Sequence, residues 1–254
     1  MKILAISQAR IGSSRFPEKI LKTIHGESLL EIHLKRVLQS QRITKLKVAT
    51  TIEPDAYKIV AIAAKLGVEA YKGSVNDVLD RFYKTAFPEK PDWVVRLTSD
   101  CPLIDPMVID RVIDHALTHD LDYVSNTLKP TFPDGVDVEI FKYPALVKAR
   151  TEAKLTSERE HVTPYIWKNS SFNGGIFFSS DCVVNEKDFS DIRLTVDSPE
   201  DYLVIEKLIE ILGTGKSWTE YVSTLENHPE IKRINADIQR NEGYLKSLNS
   251  DKNN

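Results

Sequence analysis

The sequence predicts an α/β fold, a mostly parallel β-sheet covered by helices. Helix-period and strand-type segments alternate from the first residues, as they do where strands are joined by helical crossovers. Runs such as Ile3-Leu4-Ala5-Ile6 and Trp93-Val94-Val95-Arg96-Leu97 are nearly continuous in hydrophobicity, the mark of strands covered on both faces. The 254 residues suffice for one large core, and no stretch resembles a linker long enough to force a second. Residues 1–240 are expected to form one domain, and residues 241–254, where periodicity fades, a partly disordered C-terminal tail.

The elements follow in order. The run at 3–6 is the first strand, and Ser28 with Glu31 forms a capping-box pair ahead of Leu30, Leu34, Val37 and Leu38 at helical spacing. Residues 46–51 read as the second strand. Pro54 marks a helix start, and Ile59, Ala63 and Leu66 lead to a stop at Gly67. A short strand at 68–71 and a helix at 76–86 precede the central strand at 93–97, which delivers Thr98-Ser99-Asp100 to the carboxyl edge of the sheet. A helix at 106–118, an extended stretch at 136–141, helices at 143–153 and 157–168 and a strand at 192–196 come next. Asp197-Ser198-Pro199-Glu200-Asp201 then opens a helix with strong N-terminal signals.

Composition narrows the function. A net charge of −3 argues against a general nucleic-acid binder, whose affinity comes largely from excess positive charge. The charge is uneven: residues 1–47 hold ten Lys/Arg and three Asp/Glu, which suits a phosphate-binding end, although Lys35, Arg36 and Lys45 are expected on solvated edges. Cys101 and Cys182 are far apart and in no metal-finger spacing, which disfavours a disulfide framework or structural zinc and fits a reducing cytoplasm. The apolar run at 59–64 is too short to span a membrane and the N-terminal stretch too short for a signal peptide, so a soluble, unexported protein with no membrane partner is expected.

Chemistry concentrates after the first strand, in Gln8-Ala9-Arg10-Ile11-Gly12-Ser13-Ser14-Arg15-Phe16-Pro17-Glu18-Lys19. Ligands of open α/β sheets bind beyond the carboxyl ends of the strands. There Arg10, Arg15 and Lys19 can neutralise a polyphosphate, while Gly12, Ser13 and Ser14 let backbone N–H groups approach its oxygens. The plain alternative is a basic surface loop. Neither a Walker A loop nor the three-glycine dinucleotide fingerprint fits, because the segment has one glycine. Asp100 and Asp197 each follow an apolar strand and could together hold Mg²⁺, which takes hard oxygen ligands and keeps substrate phosphates in its shell; the alternative is that each is a helix cap, a reading that weighs more for Asp197 than for Asp100. Asp134-Gly135-Val136-Asp137-Val138-Glu139 is either an ordinary hairpin entry or a source of acids, Asp137 and Glu139, facing an acceptor or a metal. His161 beside Arg159 could contact an anion or be structural, and His25, His33, His115 and His119 read as solvent or packing residues.

Six ordered stretches carry a resemblance to the SpsF-type cytidylyltransferases, relatives of the acylneuraminate and 3-deoxy-manno-octulosonate (KDO) cytidylyltransferases. They are Ala9-Arg10 through Lys19, Gly73-Ser74 with Asp77-Val78-Leu79-Asp80-Arg81, Arg96 through Ile104, Pro133 through Glu139, Arg159 through Tyr165 and Leu194 through Asp201, with a further match at Arg240-Asn241-Glu242-Gly243-Tyr244. The resemblance runs almost end to end. It departs at Gln8, where the KDO enzymes have proline, and in the middle of the chain, where their acceptor-reading residues lack clear counterparts.

The resemblance implies a three-layer α/β/α, Rossmann-like nucleotidyltransferase domain, a homodimer, and a reaction of CTP with an acidic acceptor that releases pyrophosphate. The acceptor would be a sugar acid such as a nonulosonic acid, for surface polysaccharide or glycan biosynthesis, or a phosphorylated or phosphonate compound. Lys19, Arg15 and Arg10 would act on the triphosphate; Ala9, Gly12, Ser13, Ser14, Ser74, Arg81 and Thr98 would complete the nucleotide site. Asp137, Glu139, Arg159 and His161 would meet the acceptor, and Asp100 and Asp197 the Mg²⁺. A glycosyltransferase of related fold is the rival enzyme, disfavoured because the expected Asp-x-Asp motif reads Asp100-Cys101-Pro102; a regulatory CTP-binding domain is the non-enzymatic rival.

Overall fold

The computed structural model describes residues 1–12 and 15–252. Its strands are β1 (Ile3–Gln8), β2 (Thr23–Ile24), β3 (Glu27–Ser28), β4 (Lys45–Thr51), β5 (Glu69–Gly73), β6 (Trp93–Thr98), β7 (Tyr123–Ser125), β8 (Glu139–Lys142) and β9 (Ser180–Cys182). Its helices are α1 (Leu29–Val37), α2 (Ala56–Lys65), α3 (Val78–Ala86), α4 (Pro106–Thr118), α5 (Tyr143–Glu152), α6 (Thr156–His161), α7 (Pro164–Lys168), α8 (Pro199–Leu212), α9 (Trp218–Asn227), α10 (Pro229–Lys232) and α11 (Glu242–Asp251). The main sheet runs β5-β4-β1-β6-β8-β7-β9, and β2 pairs with β3 in a separate hairpin.

Strands β5, β4, β1 and β6 are mutually parallel, β8 runs antiparallel to β6 and β7, and β9 is parallel to β7. Alternation along each strand feeds two cores. Ile3, Ala5, Val95 and Leu97 pack with Leu30 and Leu34 of α1, Ile59 of α2, Val112 of α4 and Leu208 of α8. Leu4, Ile6 and Val94 pack on the opposite face with Leu79 and Phe82 of α3, Leu146 of α5 and Ile166 of α7. The result is a three-layer α/β/α fold with a mixed, mostly parallel sheet.

Several local expectations need correction. Residues 192–196 form no strand; Arg193 makes an isolated bridge to Asp134. Asp134-Gly135 does form a turn, closed by Val136 N donating to Pro133 O (3.2 Å) in the connection from β7 to antiparallel β8, and it is also the place where two backbones touch. Asp134 N donates to Ile192 O (2.9 Å), and Gly135, at φ +108°, lies so near residues 194–195 that a Cβ would sit 2.5 Å from the Leu194 carbonyl carbon. The helix foreseen at 157–168 is broken into α6 and α7 at Val162, φ +73°, just ahead of Pro164. Ser28 caps α1 through Glu31 N, but the Glu31 side chain turns to Lys35 and Lys65, so the capping box is half-formed. Arg36 is buried rather than solvated, donating to the carbonyls of Ile104 and Lys216. Where a partly disordered tail is expected, residues 242–251 form α11, ordered by tertiary contacts that periodicity does not register: the Tyr244 ring meets those of His161 and Trp167, and Asp251 accepts from Ser157 N (3.0 Å). No helix among the described residues is long and apolar enough to cross a membrane, and both cysteines are free thiols.

Candidate active site

The parallel order of β4, β1 and β6 gathers their carboxyl ends at one edge. Ala9 N donates to Ala49 O (3.1 Å) near the carboxyl end of β4, and Ser99 N to Gln8 O (3.1 Å) at the end of β1, so the loop after β1 and the Asp100 loop leave the sheet side by side. Buried Ile20 anchors the returning loop, and a short 3-10 turn at Lys19–Leu21 directs Lys19 back over the edge. The Lys19 ammonium lies between two carboxylates, 2.9 Å from Asp100 Oδ2 and 2.7 Å from Asp197 Oδ1. Burial disfavours both charges, yet their mutual attraction wins: Lys19 is held above its ordinary pKa, and Asp100 well below the carboxylate range. Neither aspartate is a helix cap. Asp105 caps α4 and Ser198 caps α8.

Asp197 reaches Lys19 because residues 193–197 are pinned to the Asp100 loop. Val196 N (2.8 Å) and Thr195 Oγ1 (3.1 Å) both donate to Asp100 O. Arg193 braces this arrangement, with Nη1 on Asp134 (2.6 Å), Nη2 on Asp197 (3.0 Å) and Nε on fully buried Asp201 (2.8 Å). Asp201 in turn accepts from Asp197 N (2.9 Å), so a helix-capping carboxylate also orients the candidate ligand. Arg15 adds a further cation, 3.1 Å from Asp197 and paired also with Glu242.

A cavity of about 710 Å³ opens above this cluster. Ala9, Arg10, Arg15, Lys19, Arg81, Thr98, Asp100 and Asp197 line one end, and Asp137, Glu139 and His161 lie on its wall. Ser13 and Ser14 lie outside the described residues. Gly12 and Ser74 do not line the cavity; the Ser74 carbonyl instead accepts from Arg81 Nη1 (2.7 Å). Arg159 is also elsewhere, its guanidinium on Asp77 and the Arg150 carbonyl. Glu139 is fully engaged by Arg96, Tyr123 Oη (2.7 Å) and Thr163 Oγ1 (2.6 Å). Burial, helped by the charge of Arg96, lowers the His161 pKa to about 4, and Ser247 gives its proton to Glu160 (2.6 Å) while standing 3.0 Å from His161 Nε2. His161 is therefore a neutral ring in a hydrogen-bond chain, not a cation. Burial pushes Asp137 up to about 7 despite Arg240 Nη2 at 2.7 Å from its Oδ1.

Sequence reasoning missed Arg193, Arg96, Trp167 and the α11 residues as parts of the site. A signal for Arg193 existed: with Ile192, Leu194 and Val196 buried, period-2 alternation puts 193, 195 and 197 on one side. For α11 the signal was the match at Arg240-Asn241-Glu242-Gly243-Tyr244, which marked the segment without giving it a role.

The donor set bears on Mg²⁺. Among the described residues there is no preformed group of three or more His, Cys, Asp or Glu side chains able to hold a metal. Mg²⁺, however, is usually held by one or two carboxylates plus substrate phosphates. Asp100 and Asp197, close enough to share one ammonium, fit that pattern.

Comparison with known proteins accords with this geometry. The cytidylyltransferase family profile matches residues 4–234. A cytidylyltransferase structure from Leptospira borgpetersenii superposes with a TM-score of 0.85 at 34% identity, covering 91% of this chain and 97% of that one. The spore coat polysaccharide biosynthesis protein SpsF of Bacillus subtilis is 32% identical over 235 residues, 90% of this chain and 95% of its own. The 3-deoxy-manno-octulosonate cytidylyltransferase of Geotalea daltonii is 33% identical over 154 residues, 60% of this chain and 58% of that protein. The chain belongs to the cytidylyltransferase family.

Proposed function

We propose that the protein transfers CMP from CTP to a small sugar-type acceptor in polysaccharide biosynthesis, releasing pyrophosphate. The observation that carries this reading is the Lys19 ammonium set between Asp100 and Asp197 at the carboxyl edge of the sheet, with Arg15 beside it and Arg10 on the same cavity. In such a site the acceptor oxygen attacks the α-phosphorus in line with departing pyrophosphate, so alignment and charge neutralisation do most of the catalysis. Lys19, Arg15 and Arg10 would hold the triphosphate and neutralise charge on the leaving group. Ala9, Thr98 and Arg81 would border the nucleotide, with the Ser74 carbonyl supporting Arg81. Asp100 and Asp197 would hold Mg²⁺, which when bound supplies Lewis-acid neutralisation of the phosphate oxygens.

The acidic character of the acceptor rests on the sugar-acid relatives alone, since Arg159 is turned away and His161 is neutral. A homodimer in the cytoplasm belongs to the same proposal. The test is pyrophosphate release from CTP and Mg²⁺ over a panel of sugar acids, neutral sugars and phosphorylated alcohols. No release with any acceptor, in a protein that binds CTP, favours the regulatory reading instead.

A further inference from the structure

The cavity has a second end, away from Lys19, and its wall is built by α6, α7 and α11. Three features stand out there. Trp167 and Tyr244 lie at its surface with ring centroids 6.1 Å apart, and neither the indole N–H nor the phenol hydroxyl has a hydrogen-bond partner among the described residues. Two cations there already have carboxylate partners, Arg96 with Glu139 and Lys246 with Glu242 (2.6 Å), and Arg240 faces Asp137. The wall is also fixed to the chemistry, because Arg15 bonds Asp197 at one end and Glu242, the first residue of α11, at the other.

An acid group arriving at Arg96 or Lys246 meets a cation that already has a carboxylate partner, and must displace it to be satisfied. A hydroxyl-rich molecule meets apolar ring bodies with open polar tips, the combination that buries a sugar's faces while satisfying its hydroxyls. We infer that α11 and α7 form the acceptor subsite, and that it takes a polyhydroxylated acceptor read through its hydroxyl groups rather than through an acid group. This rests on the CMP-transfer reading and deepens it. The weakly periodic C-terminal segment thus supplies specificity, and Tyr244 and Trp167 are the residues that touch the acceptor.

The test uses the full-length protein saturated with cytidine 5′-(α,β-methylene)triphosphate, which cannot transfer CMP. The probes are 3-deoxy-manno-octulosonate, N-acetylneuraminate, the neutral methyl ester of each, and ribitol, titrated calorimetrically. For at least one acid–ester pair, both forms should bind within about threefold of each other, and Tyr244→Phe or Trp167→Phe should weaken binding by about three- to tenfold, one hydrogen bond's worth. Both variants keep an aromatic ring, and each should bind the nucleotide analogue as the parent does. Preference for acid over ester beyond about tenfold, parent-like affinity in both variants, or no binding by any probe overturns the inference. Analogue binding separates the two readings: if the analogue binds and the probes fail, only the acceptor subsite falls, whereas a protein that does not bind the analogue loses the CTP reading as well.

Discussion

The two ends of the cavity are built on different principles. The Lys19 end takes its groups from short loops at the carboxyl ends of adjacent strands, where the sheet itself sets the spacing and buried ion pairs fix the side chains. The α11 end takes its groups from three helices, the longest of ten residues, that meet only through tertiary contacts. Charge is concentrated in the first, whereas in the second Arg96 and Lys246 already have carboxylate partners. The contrast teaches that one sheet edge can carry a constant phosphate chemistry while the facing helices alter what is joined to it.

The sharpest way to break the comparison is to remove the brace beneath the first end. Arg193→Met leaves Asp134, Asp197 and buried Asp201 without their shared cation, and should destabilise the fold by about 3–5 kcal/mol, since stranded buried charges are costly. Urea unfolding measures it. A loss below about 1 kcal/mol would mean that the network is solvated and that strand geometry alone holds Asp197.

Next in size is the loss of Lys19. Lys19→Ala should lower turnover with CTP by on the order of 10² or more, as removal of a preorganised charge donor does. Asp100→Asn and Asp197→Asn should remove most Mg²⁺-dependent rate, because the amide keeps the shape but loses the charge that attracts a hard cation. Neither aspartate caps a helix, so these two changes test ligation rather than helix stability. Rates independent of Mg²⁺ concentration in parent and variants alike would remove the metal from the mechanism.

These two predictions also mark how far the sequence could be read. The strands at 3–6, 46–51 and 93–97 were legible because burial on both faces makes them continuously apolar, and the loop ending at Lys19 because several cations in a short segment need an anion. Asp100 and Asp197 could be paired on the resemblance, but not their shared ammonium, which depends on a 3-10 turn that leaves no period. Strands β7 and β9, three residues each, are too short for any period-2 signal. Helix α11 was illegible for a different reason: its order comes from His161, Trp167 and Ser157, far away in sequence, so local propensity points to a tail.

A smaller effect separates the ends by pH. Burial raises Asp137 from the ordinary 3.8 to about 7, so the folded protein keeps a proton that the unfolded chain releases, and this group costs stability as pH rises from about 4 to 7. Asp100, held low by Lys19, acts oppositely: its stabilisation is present above the ordinary carboxylate pKa and is lost on acidification. Asp137→Asn should therefore raise the melting temperature relative to the parent, by a margin that grows between pH 4 and pH 7 and is flat above. A margin that shrinks with rising pH would show that Arg240 keeps Asp137 ionised throughout.

The smallest expected effect decides whether anion recognition belongs to the second end at all. Arg159 is the cation that the sequence offers for an acidic acceptor, yet its guanidinium lies on Asp77, at the N-terminus of α3, and on the Arg150 carbonyl, outside the cavity. The pair is partly exposed, with side-chain accessibilities of 23% and 32%, so its loss should cost at most about 1 kcal/mol. Arg159→Ala should then leave both the acceptor KM and the CTP KM within about twofold of the parent, while the melting temperature falls by a few degrees at most. Tyr244→Phe should do the reverse, changing acceptor KM with the melting temperature almost untouched. If instead Arg159→Ala raises the acceptor KM about tenfold for an acid and not for its ester, the guanidinium must leave Asp77 when the acceptor binds. The second end would then be a charge-reading site after all, assembled only in the presence of its ligand.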